Sequence, residues 1–553
     1  MSILPAMPND GQSPAGAELL ELRVLDGPNR FFTRPAVKLE FGADEPGPAA
    51  EAAATAALAI RRLHVELGYP APRVTLRTSA DRRRVALAFS WRRRAIAQSI
   101  AAASARMALG QASERRELRS LRSITPGPRP DLPRARVPIV AVTGTNGKST
   151  TTRLIAHIAE SAGRRTGMTN SDGIYLRGEL VEAGDWTGFG GAGRVLAEPD
   201  LDLAVLETAR GGILLRGIGY PANDVSVVTN VSADHLGLQG IDTLDELADV
   251  KAAVVRITRR SGWAVLNAAD PLVWAMRRQT RARWYAFSAD PDAPQVEAAL
   301  DHGGRAAILQ RGWLVLLAPG RAPRRLARAV DLPVTFAGLS AYNVVNALAA
   351  AAAADALEIA THAIAAGLHT FAQDSAANPG RLNLYERNGV LVLVDFAHNE
   401  AGLAGLLEVC RSLAAAPGRR PRGRALGRVR LAVGTAGDRT DAILHNLGVV
   451  AAAADDVVIC EKRHYLRGRD LEEMNAILRA GIAEGGYEGA VEAHVTELKA
   501  LQVLLGRARR GDVTAVMSHI ERQEIFVWLE DQGYRPVGFD RLRALLGVAP
   551  LTV

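Results

Sequence analysis

Apolar positions along the chain follow two periods. Short β-branched runs such as "VPIVAV" (137–142) read as buried strands. Longer stretches such as "STTTRLIAHIAESAG" (149–163) place Leu154, Ile155, Ile158 and Ala162 at helical spacing, with a stop at Gly163. The two patterns alternate from 137 to about 375, with further strands at "LDLAVLE" (201–207) and "DVSVVTN" (224–230). Such alternation predicts a parallel sheet covered by helices. The alanine-rich "NVVNALAAAAAADALEIA" (343–360) reads as one long closing helix. A second α/β series fills 376–553, with strands at "GVLVLVD" (389–395), "RVRLAVG" (428–434), "DDVVIC" (455–460) and "VTAVMS" (513–518).

The first 123 residues pattern differently. Strands at 19–25, 73–78 and 84–91, with helices at 49–68 and 95–110, make a small α+β unit. Five prolines then crowd "ITPGPRPDLPRARVP" (124–138). Proline removes donors and disfavours helix, so 124–136 is expected to be an extended linker. The predicted fold is α/β in three domains: an N-terminal α+β unit (1–123), a central P-loop-like parallel-sheet domain (137–375) and a C-terminal Rossmann-like domain (376–553).

The strand-to-helix turn "VTGTNGKSTTTR" (142–153) carries the strongest chemical signal. A helix N-terminus offers unpaired N–H groups and a partial positive charge, and small residues let backbone close on a phosphate. Gly144, Thr145, Asn146 and Gly147 supply the small turn. Lys148 adds a mobile charge, and Ser149 or Thr150 adds a hydroxyl for Mg²⁺. The spacing is not Walker A, because Val142 stands where its first glycine would fall. An ordinary glycine turn would not need lysine, serine and threonine in this order.

Composition narrows the classes. Only five lysines occur (Lys38, Lys148, Lys251, Lys462, Lys499), so one inside a phosphate loop stands out. Net charge is +8, carried by scattered arginines without an aromatic platform, which argues against nucleic acid and suits an acidic substrate. Cys410 and Cys460 form neither a disulfide framework nor a metal cluster, and are expected in apolar packing in a reducing compartment. The N-terminal "MSILPAMPNDGQSP" lacks a basic and an apolar signal region, and no uncharged run is long enough to span a bilayer. A cytoplasmic protein without membrane partners is expected.

Ligands of open parallel sheets sit beyond the carboxyl ends of strands. There the pattern delivers Lys148, then Glu207 in "AVLETARGG", then His235 in "VVTNVSADHLG". A carboxylate, an imidazole and the loop hydroxyl of Ser149 could hold Mg²⁺ against a nucleotide phosphate. Taken singly, Glu207 reads as a helix-cap partner and His235 as a loop histidine; the loop beside them favours the functional reading.

In order, "GTNGKST", "VLETARGG", "TNVSADHLG", "NVVNALAA", "PGRLN" and "VDFAHN" resemble the motifs of the Mur ligase superfamily. Within it, "SDGIYLRGELVEAGDWTG", "RLNLYERNGVLVLVDFAHNEAGL", "TAGDRTD" and "LRGRD" are most similar to the Mur-like half of cyanophycin synthetase. The resemblance covers about 137–530, and more weakly "LRVLDGPNRFF" and "VALAFSWRRRAIAQSIAAAS" in the N-terminal unit. It departs in one respect: the ATP-grasp domain of that family has no room between the N-terminal unit and the loop.

The resemblance implies an ATP-dependent acid–amino acid ligase. A substrate carboxylate would be phosphorylated to an acyl phosphate, which an amine then converts to an amide. The implied nucleotide contacts are the loop from Gly144 to Thr150, with Asn343, Asn346, Arg381 and Asp395. Ser149, Glu207 and His235 are the implied Mg²⁺ ligands. Lys251 lies where many members carry a carbamylated lysine, and Lys148, Lys251, His235 and Asp395 are the implied catalytic set. Tyr342 and Glu400 replace a frequent histidine and proline. The expected substrates are an amino acid and an acidic peptide or polymer; an incoming arginine would draw on Glu461, Asp438 and Asp470. A folylpolyglutamate-synthase-like ligase and a non-catalytic partner of a full cyanophycin synthetase are the alternatives. A homo-oligomer is compatible with the sequence.

Overall fold

The computed structural model describes residues 16–234, 236–419 and 426–548, which build three sheets. The central sheet has eleven strands among the described residues. Seven run parallel, in the order Arg305–Gln310, Arg283–Ser288, Thr258–Asn267, Asn223–Val228, Ile139–Thr143, Leu203–Glu207 and Thr166–Thr169. These strands are short and nearly all apolar because helices cover both faces.

Each side of the parallel core is extended by antiparallel strands, which the alternation did not announce. Trp313–Leu317 and Arg324–Arg328 add to one side, Gly173–Leu176 and Glu179–Ala183 to the other. The first strand of each addition turns on an Arg–Gly pair in left-handed backbone, Arg311–Gly312 and Arg177–Gly178. Such turns match the twist of a tight hairpin.

The sheet order puts Ile139–Thr143 between the strands that end at Val228 and Glu207. Three neighbouring strands therefore deliver loop 144–147, Glu207 and segment 229–234 to one rim. Packed over the sheet is the alanine-rich helix, which is shorter than expected. It runs Ala341–Ala356, and a second helix, Thr361–Thr370, follows after a turn in which Glu358 takes a left-handed φ of 61°.

The C-terminal sheet has seven strands among the described residues. Ala493–His494, Asp456–Cys460, Val429–Val433, Val513–Met517 and Val390–Asp395 are parallel, and Asn383–Arg387 and Arg535–Pro536 antiparallel. Cys410 and Cys460 are free and buried in its two apolar layers.

The N-terminal sheet is antiparallel, ordered Ala17–Leu25, Ala36–Ala43, Arg84–Ser90, Val74–Thr78. Ala36–Ala43 escaped the pattern because Lys38 and Glu40 interrupt it. Both are buried, since Lys38 Nζ pairs with Glu40 at 2.5 Å and with Glu21 at 2.8 Å. The proline-rich segment lacks regular structure yet is anchored. Pro126 and Pro128 lend carbonyls to the N–H groups of Ile96 and Arg94, at the start of helix Arg94–Ala108.

Candidate active site

Loop 144–147 is braced on every side. Gly147, with φ of 84°, precedes helix Lys148–Ser161, and Gly144 has φ of 148°. A Cβ on Gly144 would collide with Thr229 Oγ1, and one on Gly147 with Asn346 Oδ1. Asn230 accepts the Thr145 N–H on its carbonyl (2.9 Å) and the Asn146 N–H on its side chain (2.9 Å). Thr229 donates back to the Asn146 carbonyl at 2.6 Å. The cradle is thus fixed by the neighbouring strand end, which local sequence cannot show.

Lys148 Nζ donates to Thr145 O at 2.8 Å, and Lys251 Nζ donates to Gly144 O at 2.6 Å. Lys251 projects inward from helix Leu244–Arg256 and is buried. Burial, with the nearby charge of Lys148, pushes its amine well below the usual ammonium range.

Glu207 is 4% exposed, and its Oε2 has no hydrogen-bond partner. Burial raises its carboxyl, while Lys148 and a hydrogen bond from Ser149 oppose that shift. An orphaned carboxylate oxygen beside a hydroxyl suits a hard cation, so the donors present fit Mg²⁺. His235, the third predicted ligand, lies outside the described residues. Among the described residues no group of three or more His, Cys, Asp or Glu side chains is placed to hold a metal.

Asn343 and Asn346 share one face of helix Ala341–Ala356, and Asn346 Nδ2 donates to Asn343 Oδ1 at 3.0 Å. Tyr342 packs against Gly405 of the C-terminal part, where a Cβ would not fit. Glu400 opens helix Glu400–Ala414 behind its cap Asn399, a position where an acidic residue favours the helix dipole.

The C-terminal sheet contributes Arg381, which stacks over Phe396 at 4.3 Å and reaches Ser149 Oγ at 3.5 Å. Asp395 serves this loop through backbone. Its two oxygens accept the N–H groups of Leu382 and Ala397, each at 2.8 Å. It is therefore placed to hold the loop of Arg381 in position.

Sequence reasoning missed the ion cluster around Asp172. Arg153 and Arg522 bond its two oxygens at 2.9 and 2.6 Å, and Arg381 lies close by. Arg153 is 4% exposed and its Nη1 lacks a partner. Burial alone would raise the Asp172 carboxyl, but the three guanidiniums hold it down at about 2. The "SDG" after Ser171 was the only local signal. Asn378 likewise reaches Thr150 Oγ1 at 3.4 Å.

The acidic side chains expected to meet an incoming arginine are already engaged. Asp438 pairs with Arg439 (2.8 Å) and Arg467; Glu461 pairs with Arg463 (2.9 Å) and accepts from Asn475. Asp470 caps helix Leu471–Glu484 through the Glu473 N–H. A charged loop satisfies its own charges here, which is why acidic residues alone do not mark a guanidinium pocket.

Comparison with known proteins places these features in a family. The Mur ligase middle domain matches residues 142–354, and the Mur ligase glutamate ligase domain matches 380–520. Cyanophycin synthetase of Crocosphaera subtropica is 38% identical over 382 residues, 69% of this chain and 42% of that protein. The chain therefore spans less than half the length of that relative. UDP-N-acetylmuramoyl-L-alanyl-D-glutamate–2,6-diaminopimelate ligase of Geobacillus kaustophilus is 27% identical over 403 residues, 69% of this chain and 74% of that protein. E. coli FolC in complex with DHPP and ADP shares the fold, with a TM-score of 0.51 at 18% identity, over 72% of this chain and 89% of that one. No helix among the described residues is long and apolar enough to cross a membrane.

Proposed function

The chain belongs to the Mur ligase superfamily of ATP-dependent carbon–nitrogen ligases, and on that premise we propose that it joins an amino acid to a carboxylate of an acidic acceptor through an acyl phosphate. The acceptor class is an aspartate-containing peptide or a related acidic polymer, and arginine is the first amino acid to test. The observation that carries this reading is the buried, unpartnered Glu207 Oε2. It stands beside Lys148 and Ser149 at the mouth of a loop whose glycines leave no room for side chains.

In this reading, the loop N–H groups and Lys148 bind the phosphates of ATP, the co-substrate. Asn343 and Asn346 line the nucleotide, and Arg381 presents a fixed cation beside Ser149. Ser149, Glu207 and His235 would hold Mg²⁺, which when bound neutralises charge between the two reacting anions. Lys251, held towards its neutral amine, is in the form that carbamylation requires and would support a second Mg²⁺. Domain contacts across the cleft, from Asn146 to Asn399 and from Asp172 to Arg522, keep water from the acyl phosphate.

The test is phosphate release from Mg·ATP, crossing single amino acids with short aspartate or β-aspartyl peptides. Release that needs both partners and vanishes in Lys148→Ala is expected. Nucleotide binding without release for any pair would instead favour a non-catalytic partner of a full synthetase.

A further inference from the structure

The N-terminal sheet packs on the outer side of the segments that follow each candidate ligand at the rim. After Glu207, the carbonyl of Arg216 accepts the Asp26 N–H, and Ile218 N–H donates to Pro28 O, both at 2.7 Å. A Cβ on Gly27 would strike the Ile218 carbonyl, so backbone meets backbone there. After position 235, Arg84 pairs with Asp242. On the helix of Lys251, Arg30 Nε donates to Asp249 Oδ2 at 2.9 Å, and Arg256 Nη2 donates to Arg30 O at 3.0 Å.

Arg30 is 8% exposed and also reaches Glu246 at 3.5 Å. Glu246 closes a capping box with Thr243 at the start of that helix. Residues two apart on a helix point to nearly opposite sides. Asp249 thus faces the N-terminal sheet while Lys251 faces Gly144. Apart from that Lys251 bond, loop 144–147 is braced by Asn230, Asn346 and Asn399.

We propose that the N-terminal domain is a clamp for the cation-holding wall of the nucleotide site, with Arg30 as its positioning residue acting through the helix of Lys251. The inference rests on the Mg·ATP reading above. Its physical reason is precision: metal donors must be held within a fraction of an ångström, and a rim built from short segments needs outside support. Loop 144–147 meets the clamped helix at one bond, from Lys251 Nζ to Gly144 O, and its other braces come from outside that helix.

The experiment is calorimetric titration of ADP into the full chain, with and without MgCl₂, for the wild type, Arg30→Ala and Arg30→Lys. Arg30→Ala is expected to bind ADP normally without Mg²⁺ and to lose roughly tenfold of the Mg²⁺-dependent gain. Arg30→Lys, which keeps the charge, is expected to recover part of it. Equal losses with and without Mg²⁺, or an unchanged Mg²⁺ gain, would overturn the proposal. Should Arg30→Ala fail to fold by circular dichroism, Asp249→Asn puts the same question from the other side of the contact, with the same two outcomes. A wild type that binds no ADP at all would overturn the nucleotide reading itself, a result separate from any effect of Arg30.

Discussion

Asn146 and Asn399 exchange side-chain amides across the cleft, Asn146 Nδ2 to Asn399 Oδ1 at 3.1 Å and Asn399 Nδ2 to Asn146 Oδ1 at 3.0 Å. One belongs to loop 144–147 and the other caps helix Glu400–Ala414, where its Oδ1 also accepts the Gly402 N–H at 3.0 Å. Two residues 253 positions apart thereby tie the loop's shape to the position of the C-terminal domain.

Substitutions at Asn399 separate its two tasks. Asn399→Asp keeps the cap but sets a negative charge beside the loop proposed to bind phosphate. Its thermal midpoint is expected to match wild type while ADP affinity falls roughly tenfold, an effect of about 1.4 kcal/mol. Asn399→Ala loses the cap as well and is expected to lose about 1 kcal/mol of stability. Calorimetric ADP titration and thermal melting check both.

Lys148 and Glu207 act on different partners in the proposed site. Lys148→Ala is expected to lower phosphate release by about 10² to 10³, as for removal of one charge-stabilising donor. Glu207→Gln keeps the shape but removes a charge from the cation. It is expected to shift the Mg²⁺ concentration for half-maximal activity upward by roughly 10-fold or more. A Mg²⁺ titration of phosphate release reads both variants.

Lys251 should matter to activity and not to stability. Its amine is already held towards neutrality, so Lys251→Met strands no opposite charge. Only Gly144 O loses a donor, at about 1 kcal/mol, offset by the apolar methionine. Ligation is expected to fall roughly 100-fold. A phosphate-release assay beside a thermal melt tests this, and a large fall in melting temperature with activity retained would contradict it.

Asp172 gives the closed cleft an acid limit. Its carboxyl sits at about 2 in the folded chain against an ordinary 3.8. A depressed carboxyl stabilises the fold fully above the ordinary value, and that stability drains away as pH falls from 3.8 towards 2. The shift corresponds to about 2 kcal/mol at neutral pH. Asp172→Asn is expected to lower the unfolding free energy read from urea denaturation at pH 7 by at least that much, with three guanidiniums left facing one another. The difference from wild type should shrink as pH drops through that window.

Much of the fold was legible along the chain because it depends on local spacing. The glycine turn between an apolar run and a helical period marked loop 144–147, and the four C-terminal strands read from short apolar runs are all present. Ala36–Ala43 was not legible, since a strand with a buried Lys38 and Glu40 looks polar until its partners are known. The antiparallel additions to the central sheet were hidden for a related reason: two of their four turns are Arg–Gly pairs rather than the usual Asn–Gly.

Sequence alone determined the residue types at the rim: the loop, its lysine, and carboxylates and hydroxyls at strand ends. Those are set by short-range order and by the need to leave backbone exposed at a helix start. Tertiary structure decided which of them meet. Strand order set Glu207 and Asn230 on either side of the loop, and packing of the C-terminal part brought Asn399 to Asn146, Arg381 to Ser149 and Arg522 to Asp172. It also turned Asp438, Glu461 and Asp470 to internal partners. Contacts hundreds of positions apart are chosen by packing of whole layers, and no local pattern encodes that choice.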